Sequence, residues 1–271
     1  MLFPLYDNNS TRRWPILTLL LIVANVVVHF CLAKQPAAVR SELYARYGFV
    51  PKRIQQFQDP KLVVAVPIEQ AHDPQAVGPL LGPAAPPQTV ELKSNQEEIL
   101  ISLLSCMFLH GGWLHLASNM WFLWLFGNNI EDRLGHVVFV LFYLTVGLLA
   151  SACHWATNQD SILPIVGASG AVAGVLGAYA ITFPAAKVKT IIFLGFIFIL
   201  DLPALLVLFG WFGIQIWMGF QAIGANVGQV AWWAHVGGFI AGVVIMPLLS
   251  AGAPEPGTHW EDEAEREFQG N

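Results

Sequence analysis

Gly167-Ala168-Ser169-Gly170-Ala171 sets a single hydroxyl among small residues at the head of an apolar run. A serine just inside a helix N-terminus lies beside unpaired backbone N–H groups and the positive end of the helix dipole, a setting suited to an oxyanion. Serine alone is no nucleophile at neutral pH and needs a base. The comparable polar residue in the later apolar segments is His235, in Ala234-His235-Val236-Gly237-Gly238. These two stretches predict a Ser169/His235 dyad within a membrane.

The surroundings of both stretches are membrane-like. Of 271 residues, 55% are hydrophobic and 11% charged, and the mean hydropathy is +0.57, which excludes an ordinary soluble domain. The net charge of -5 reflects an acidic tail from Glu255 to Glu267, and no basic footprint for nucleic acid is present. Cys31, Cys106 and Cys153 are odd in number and lack metal-ligand spacing, so they read as buried thiols rather than a disulfide framework.

Six apolar segments follow one another: Trp14 to Ala33, Leu100 to Gly127, Val137 to Trp155, Leu163 to Phe183, Pro203 to Phe220 and Trp232 to Leu249. The expected fold class is an all-α polytopic membrane protein, a six-helix bundle whose short fourth helix carries the serine. Its divisions are an N-terminal stretch 1–13, a membrane domain 14–250 containing a long polar loop 34–97, and an acidic tail 251–271. The first apolar run is too long for a signal peptide and reads as a retained anchor. Asp201-Leu202-Pro203 reads as a cap opening the fifth span, and Val188 to Leu200 before it stays unassigned.

Seven of the 13 lysines and arginines lie in the long loop. The other six, Arg12, Arg13, Arg133, Lys187, Lys189 and Arg266, fall on one side of a six-span arrangement. Both termini are therefore expected in the cytoplasm and the long loop outside. Helix rise then converts sequence distance into depth. Ser169 precedes Thr182 by 13 residues and His235 precedes Pro247 by 12. At about 1.5 Å per residue both lie roughly 18 to 20 Å above the cytoplasmic ends. Measured from Gly127, His115 reaches the same level and Asn119 lies one turn below it. Residues 164–168 must descend to Ser169 as non-helical backbone, tolerated where it is buried in protein or lines a cavity.

Plainer readings compete. Gly167, Gly170, Gly174 and Gly177 facing Gly237, Gly238 and Gly242 would serve close helix packing. Gly-x-Ser-Gly-Ala is not a nucleophile elbow, and no strand precedes it. His110 and His115 are five apart with no third ligand, so neither a metal nor a cofactor is expected. Glu131-Asp132-Arg133 reads as a solvated turn. Trp211, Phe212, Trp217, Trp232 and Trp233 read mostly as lipid-facing or interfacial.

Taken together, Phe108-Leu109-His110-Gly111-Gly112-Trp113-Leu114-His115, Asn119, Glu131-Asp132-Arg133-Leu134-Gly135, Gly167-Ala168-Ser169-Gly170 and Ala234-His235-Val236-Gly237-Gly238 with Gly242 resemble the rhomboid family of intramembrane serine proteases. The resemblance implies a serine-type endopeptidase with Ser169 as nucleophile and His235 as general base and acid. It further implies oxyanion donors in His115, Asn119 and the Ser169 N–H, transmembrane protein substrates, and the fifth span with residues 221–231 as gate and cap. A bacterial inner membrane is the expected location. Two departures stand out: Ala173 occupies a position where some members stack an aromatic ring on the base, and the external loop is longer from about Asp59 to Lys93. The alternative is a non-proteolytic rhomboid-like protein that binds transmembrane helices. An oligomeric state is not legible.

Overall fold

The computed structural model describes residues 2–9, 11–68, 88–193, 196–222 and 230–251. Eight helices and five strands occur among them. Helices α1 (Ile16–Ala33), α5 (His136–Thr157), α7 (Ala204–Gln221) and α8 (Trp232–Ser250) are each long and apolar enough to cross a membrane. A fifth crossing forms if the bent pair α3 (Gln96–Ser105) and α4 (Trp113–Leu134) counts as one. These helices mark an integral membrane protein. Helix α6 (Ser169–Thr182) has 14 residues, about 21 Å of rise, and is short for a crossing.

The bundle buries polar residues and turns many apolar ones outward. On α1, Thr18, Leu21, Asn25 and His29 face inward, while Leu19, Leu20, Val23, Val26, Val27 and Phe30 are exposed. Lipid is as apolar as leucine, so the hydrophobic side chains need no protein cover, whereas the amide and imidazole do. The innermost element is α6, buried without interruption from Ala171 to Ala180. Its glycines admit α8: a Cβ on Gly238 would collide with the Gly170 carbonyl, and one on Gly242 with the Gly174 carbonyl. The glycine stripes are thus a packing device that brings two backbones together.

Several expectations change. The segment Leu100 to Gly127 is not one helix: α3 and a following 3-10 turn (Cys106–Phe108) meet α4 at 78°, with Gly111 and Gly112 at the break. Helix α4 then continues past Gly127 to Leu134, so the depth of His115 cannot be measured from Gly127. Nor is the chain all-α. Strand β1 (Leu2–Asp7) pairs with β4 (Lys187–Phe193), which pairs with β5 (Ile197–Pro203), making an antiparallel sheet in the order β1-β4-β5. The unassigned run before the fifth span is therefore a β-hairpin, rich in β-branched residues that a pleated strand accepts. Asp201 sits in β5 and caps no helix; α7 starts at Ala204 behind Pro203. Of the three thiols Cys106 is buried, whereas Cys31 lies exposed on the outer side of α1 and Cys153 is half-buried.

The turn at Glu131 is not solvated either. Its buried carboxylate accepts from Leu17 N (2.9 Å), Thr18 N (2.7 Å) and Thr18 Oγ1 (2.6 Å), capping α1, whose own N-cap residue, Pro15, offers no side-chain acceptor. His136 Nδ1 meets the same carboxylate, and Asp132 accepts from the Arg12 and Arg13 amides. Since β1 pairs Tyr6 with Lys189, the ends of α4 and α6 and the start of α1 gather Arg12, Arg13, Arg133, Lys187 and Lys189 at one end of the bundle.

The long loop carries structure of its own. It contains α2 (Ala37–Tyr47), a 3-10 turn (Pro51–Phe57), and the hairpin β2 (Val64–Pro67) with β3 (Thr89–Leu92). Ala45, Val50, Val64, Val66 and Leu92 form its small core, and buried Arg53 reaches Glu98 at the start of α3 (3.0 Å). Residues 69–87 within the loop, the cap segment 223–229 and the tail 252–271 lie outside the described residues.

Candidate active site

Ser169 is the first residue of α6, so its amide has no carbonyl one turn earlier to bond. The residues before it descend as non-helical backbone and are pinned from three sides. Ile165 exchanges both backbone bonds with Phe49 of the long loop (2.8 and 3.0 Å), and Gly167 N donates to Cys106 O (2.9 Å). Ala168 N donates to His110 Nε2 (3.4 Å), and His110 is itself fully buried. Gly167 has φ +126°, and a Cβ there would lie 2.8 Å from His115 Nε2 and 3.7 Å from Ser169 Oγ. Glycine is required twice over: for the backbone angle and for the space between those two side chains.

The packing of α6 on α8 brings the base to the serine. His235 Nε2 stands 2.8 Å from Ser169 Oγ, within reach for proton transfer. On the opposite ring nitrogen, Nδ1 stands 2.7 Å from Gln215 Oε1 of α7. Trp211, also on α7, lies against the face of the imidazole (centroids 5.9 Å, 35°), and Trp232 meets its edge (6.0 Å, 88°). The ring is therefore held although Ala173, buried on α6, offers it nothing to stack on. Trp211, expected at the lipid, instead packs in the site; Phe212 stacks on Phe239 of α8 (4.3 Å, 14°), while Trp217 is exposed as expected.

His115 enters from the first turn of α4, with its ring edge at the gap that Gly167 leaves. It is packed on His110 (centroids 5.1 Å), whose other neighbour is His29 (6.4 Å). Asn119, one turn on, is buried and donates from Nδ2 to the His115 carbonyl (3.0 Å), a bond within its own helix. The structure thus joins Ser169 to His235, sets His115 across the Gly167 gap from the serine, and leaves Asn119 turned along α4. Behind the serine, Cys106, Met107, Ser151 and Ile165 border a recess of about 10 Å³, room for one water. No set of three His, Cys, Asp or Glu side chains able to hold a metal occurs among the described residues.

Sequence reasoning does not single out Gln215. The signal it offered was its solitude: it is the sole amide, hydroxyl or charged side chain between Ala204 and Phe220. A polar group in such a run marks function or a partner.

A family model for the Rhomboid domain matches residues 97–252. Among curated proteins, the chain is 30% identical over 199 residues to RHOMBOID-like protein 7 of Arabidopsis thaliana, covering 68% of this chain and 54% of that one. It is 31% identical over 150 residues to Rhomboid protein 1, mitochondrial, of Saccharomyces cerevisiae, covering 53% of this chain and 40% of that protein. With RHOMBOID-like protein 6, mitochondrial, of Arabidopsis thaliana it shares 29% over 167 residues, covering 59% and 46%. The matched region spans about half or less of these relatives' length. The chain belongs to the rhomboid family.

Proposed function

We propose that this chain is an intramembrane serine endopeptidase that hydrolyses peptide bonds of transmembrane segments through a Ser169/His235 dyad. One observation carries the proposal: Nε2 of His235 lies 2.8 Å from Ser169 Oγ inside the helix bundle, with His115 across the gap at Gly167 from that hydroxyl. In the proposed reaction Oγ attacks the scissile carbonyl as Nε2 takes its proton. The tetrahedral oxyanion accepts from the Ser169 amide and His115, joined by Asn119 once its side chain swings off the His115 carbonyl. His235 returns the proton to the departing amine, leaving an acyl-enzyme. Water, activated by the same nitrogen, releases the second product and frees Oγ.

The six-span arrangement belongs to this reading: four long helices, the bent α3–α4 pair and the short α6 make six, with Ser169 sunk below the external surface by the missing turns of α6. An even number of crossings is consistent with the sheet that joins the N-terminal strand to the α6–α7 connection at the end rich in Arg and Lys. We infer that this end is cytoplasmic and that the membrane is a bacterial inner membrane. The mitochondrial names above belong to those relatives. Substrates would be transmembrane proteins entering from the bilayer.

The test is labelling of purified protein with a fluorophosphonate, mapping of the labelled residue, and cleavage of a model transmembrane substrate. Wild type is expected to label at Ser169 and to cleave, while Ser169→Ala and His235→Ala do neither, and the double variant is no worse than either single one. A wild type that binds the substrate without labelling or cleavage would make the chain a non-proteolytic binder of transmembrane helices.

A further inference from the structure

The structure assigns Gln215 of α7 as the positioning residue for the base: its side-chain carbonyl holds His235 in the one tautomer that can take a proton from Ser169. The inference rests on the dyad proposed above.

A neutral imidazole carries one N–H and one lone pair on opposite nitrogens, so whatever binds one nitrogen decides what the other can do. Here the two nitrogens have different partners, Gln215 Oε1 at 2.7 Å from Nδ1 and Ser169 Oγ at 2.8 Å from Nε2. A carbonyl oxygen has no hydrogen and can only accept. Facing Nδ1, it keeps the proton there and leaves the Nε2 lone pair toward the serine hydroxyl. The reversed amide would donate to Nδ1, put the proton on Nε2 and leave no base.

Packing supports the assignment. Gln215 is buried on a helix that is otherwise apolar, where an amide is costly unless hydrogen-bonded. One turn earlier on the same helix, Trp211 lies tilted against the imidazole (5.9 Å, 35°), an aromatic neighbour that Ala173 on α6 does not supply. Helix α7 therefore supplies the hydrogen bond at Nδ1 and one of the two aromatic neighbours of the ring, the other being Trp232 of α8. Position of His235 comes from α8, and its tautomer from Gln215 on α7.

The experiment uses the full chain in detergent and compares wild type with Gln215→Leu, Gln215→Met and Gln215→Glu. Each is read by its rate of fluorophosphonate labelling at Ser169, by kcat and KM on a transmembrane substrate, and by melting temperature. Leu and Met remove the acceptor, and the expected result is a labelling rate and kcat lower by about tenfold to a hundredfold, with KM and melting temperature near wild type. Ionised Glu is an acceptor and no donor, so Gln215→Glu, assayed at a pH high enough to ionise the carboxyl, is expected within about threefold of wild type in kcat, a rescue that a packing role does not predict. Gln215→Met keeps the length and flexibility of glutamine and decides the matter if Gln215→Leu does not fold. Wild-type rates in a folded Leu or Met variant would overturn the positioning role and leave the dyad standing, as would a folded Glu variant as slow as the Met variant. A wild type that does not label at Ser169 would overturn both.

Discussion

The two faces of α8 are packed by different means. Toward α6 it meets backbone with backbone: Gly238 lies on the Gly170 carbonyl, Gly242 on that of Gly174, and the Phe239 carbonyl on Gly177. Toward α7 it meets side chains, with Phe212 stacked on Phe239, Phe209 edge-on to the same ring (5.4 Å, 82°) and Trp233 over Gly219. A backbone seam has no rotamers and cannot yield without moving a helix, whereas an aromatic face can repack ring by ring. Nucleophile and base sit on the rigid seam. The groups that orient the base, Gln215 and Trp211, sit on the face that can repack.

The seam gives way most under an added side chain. Gly242→Leu is expected to cost more than about 3 kcal/mol, because a carbonyl rather than a flexible side chain stands in the way. In thermal unfolding in detergent it is expected to be unfolded, or folded with labelling at Ser169 abolished; a stable, fully labelled variant would show that the seam is not what joins the dyad. Far from the site, Glu131→Ala strips the cap from α1 and leaves donors without a partner, a loss of about 2 kcal/mol. Labelling per folded molecule is expected to stay at the wild-type rate, which separates stability from site geometry.

On the repacking face the expectation reverses. Phe212→Ala loses packing but little hydrophobic transfer, since lipid takes its place, so about 1 kcal/mol is lost. The labelling rate is expected to fall several-fold as α7 loosens around Gln215. If melting and labelling fall in step with those of Glu131→Ala, the distinction between the two faces is lost.

The smallest effect concerns pH. Burial raises the carboxyl of Asp7 above its ordinary 3.8, outweighing the hydrogen bonds from Tyr179 on α6 (2.7 Å) and Asn129 on α4 (2.9 Å). A raised acid contributes stability that is complete below the unfolded value and is lost as pH rises through the folded one. Melting temperature of the wild type is therefore expected to fall on raising the pH from 3.8 through the folded value, and Asp7→Asn to flatten that slope. An unchanged slope in the variant would remove Asp7 from the account.

Much of this was legible in the linear chain because the bilayer imposes a simple rule. Apolar length predicts a crossing, and each apolar run except the broken one from Leu100 holds a single helix in the expected place, with α7 starting one residue past Pro203. Ser169 and His235 stood out for the same reason: a polar residue in such a run needs a cause. The β-hairpin at 187–203 was obscured because β-branched apolar residues look alike to a hydropathy scan whether they lie in a strand or a membrane. Glu131 looked solvated because its partners, Leu17 and Thr18, lie more than a hundred positions away.

The sequence by itself thus determined the membrane class, the places of most apolar helices, and a serine and a histidine that stand out in apolar runs, all properties that follow from one-dimensional pattern and length. Tertiary structure alone decided that α3 and α4 break at 78°, that Phe49 and His110 pin the non-helical segment before Ser169, and that Gln215 faces the base. The physical reason is directional. Depth along a helix is set by rise per residue, but which side chain meets which across helices depends on rotation about each axis, and only packing fixes that angle.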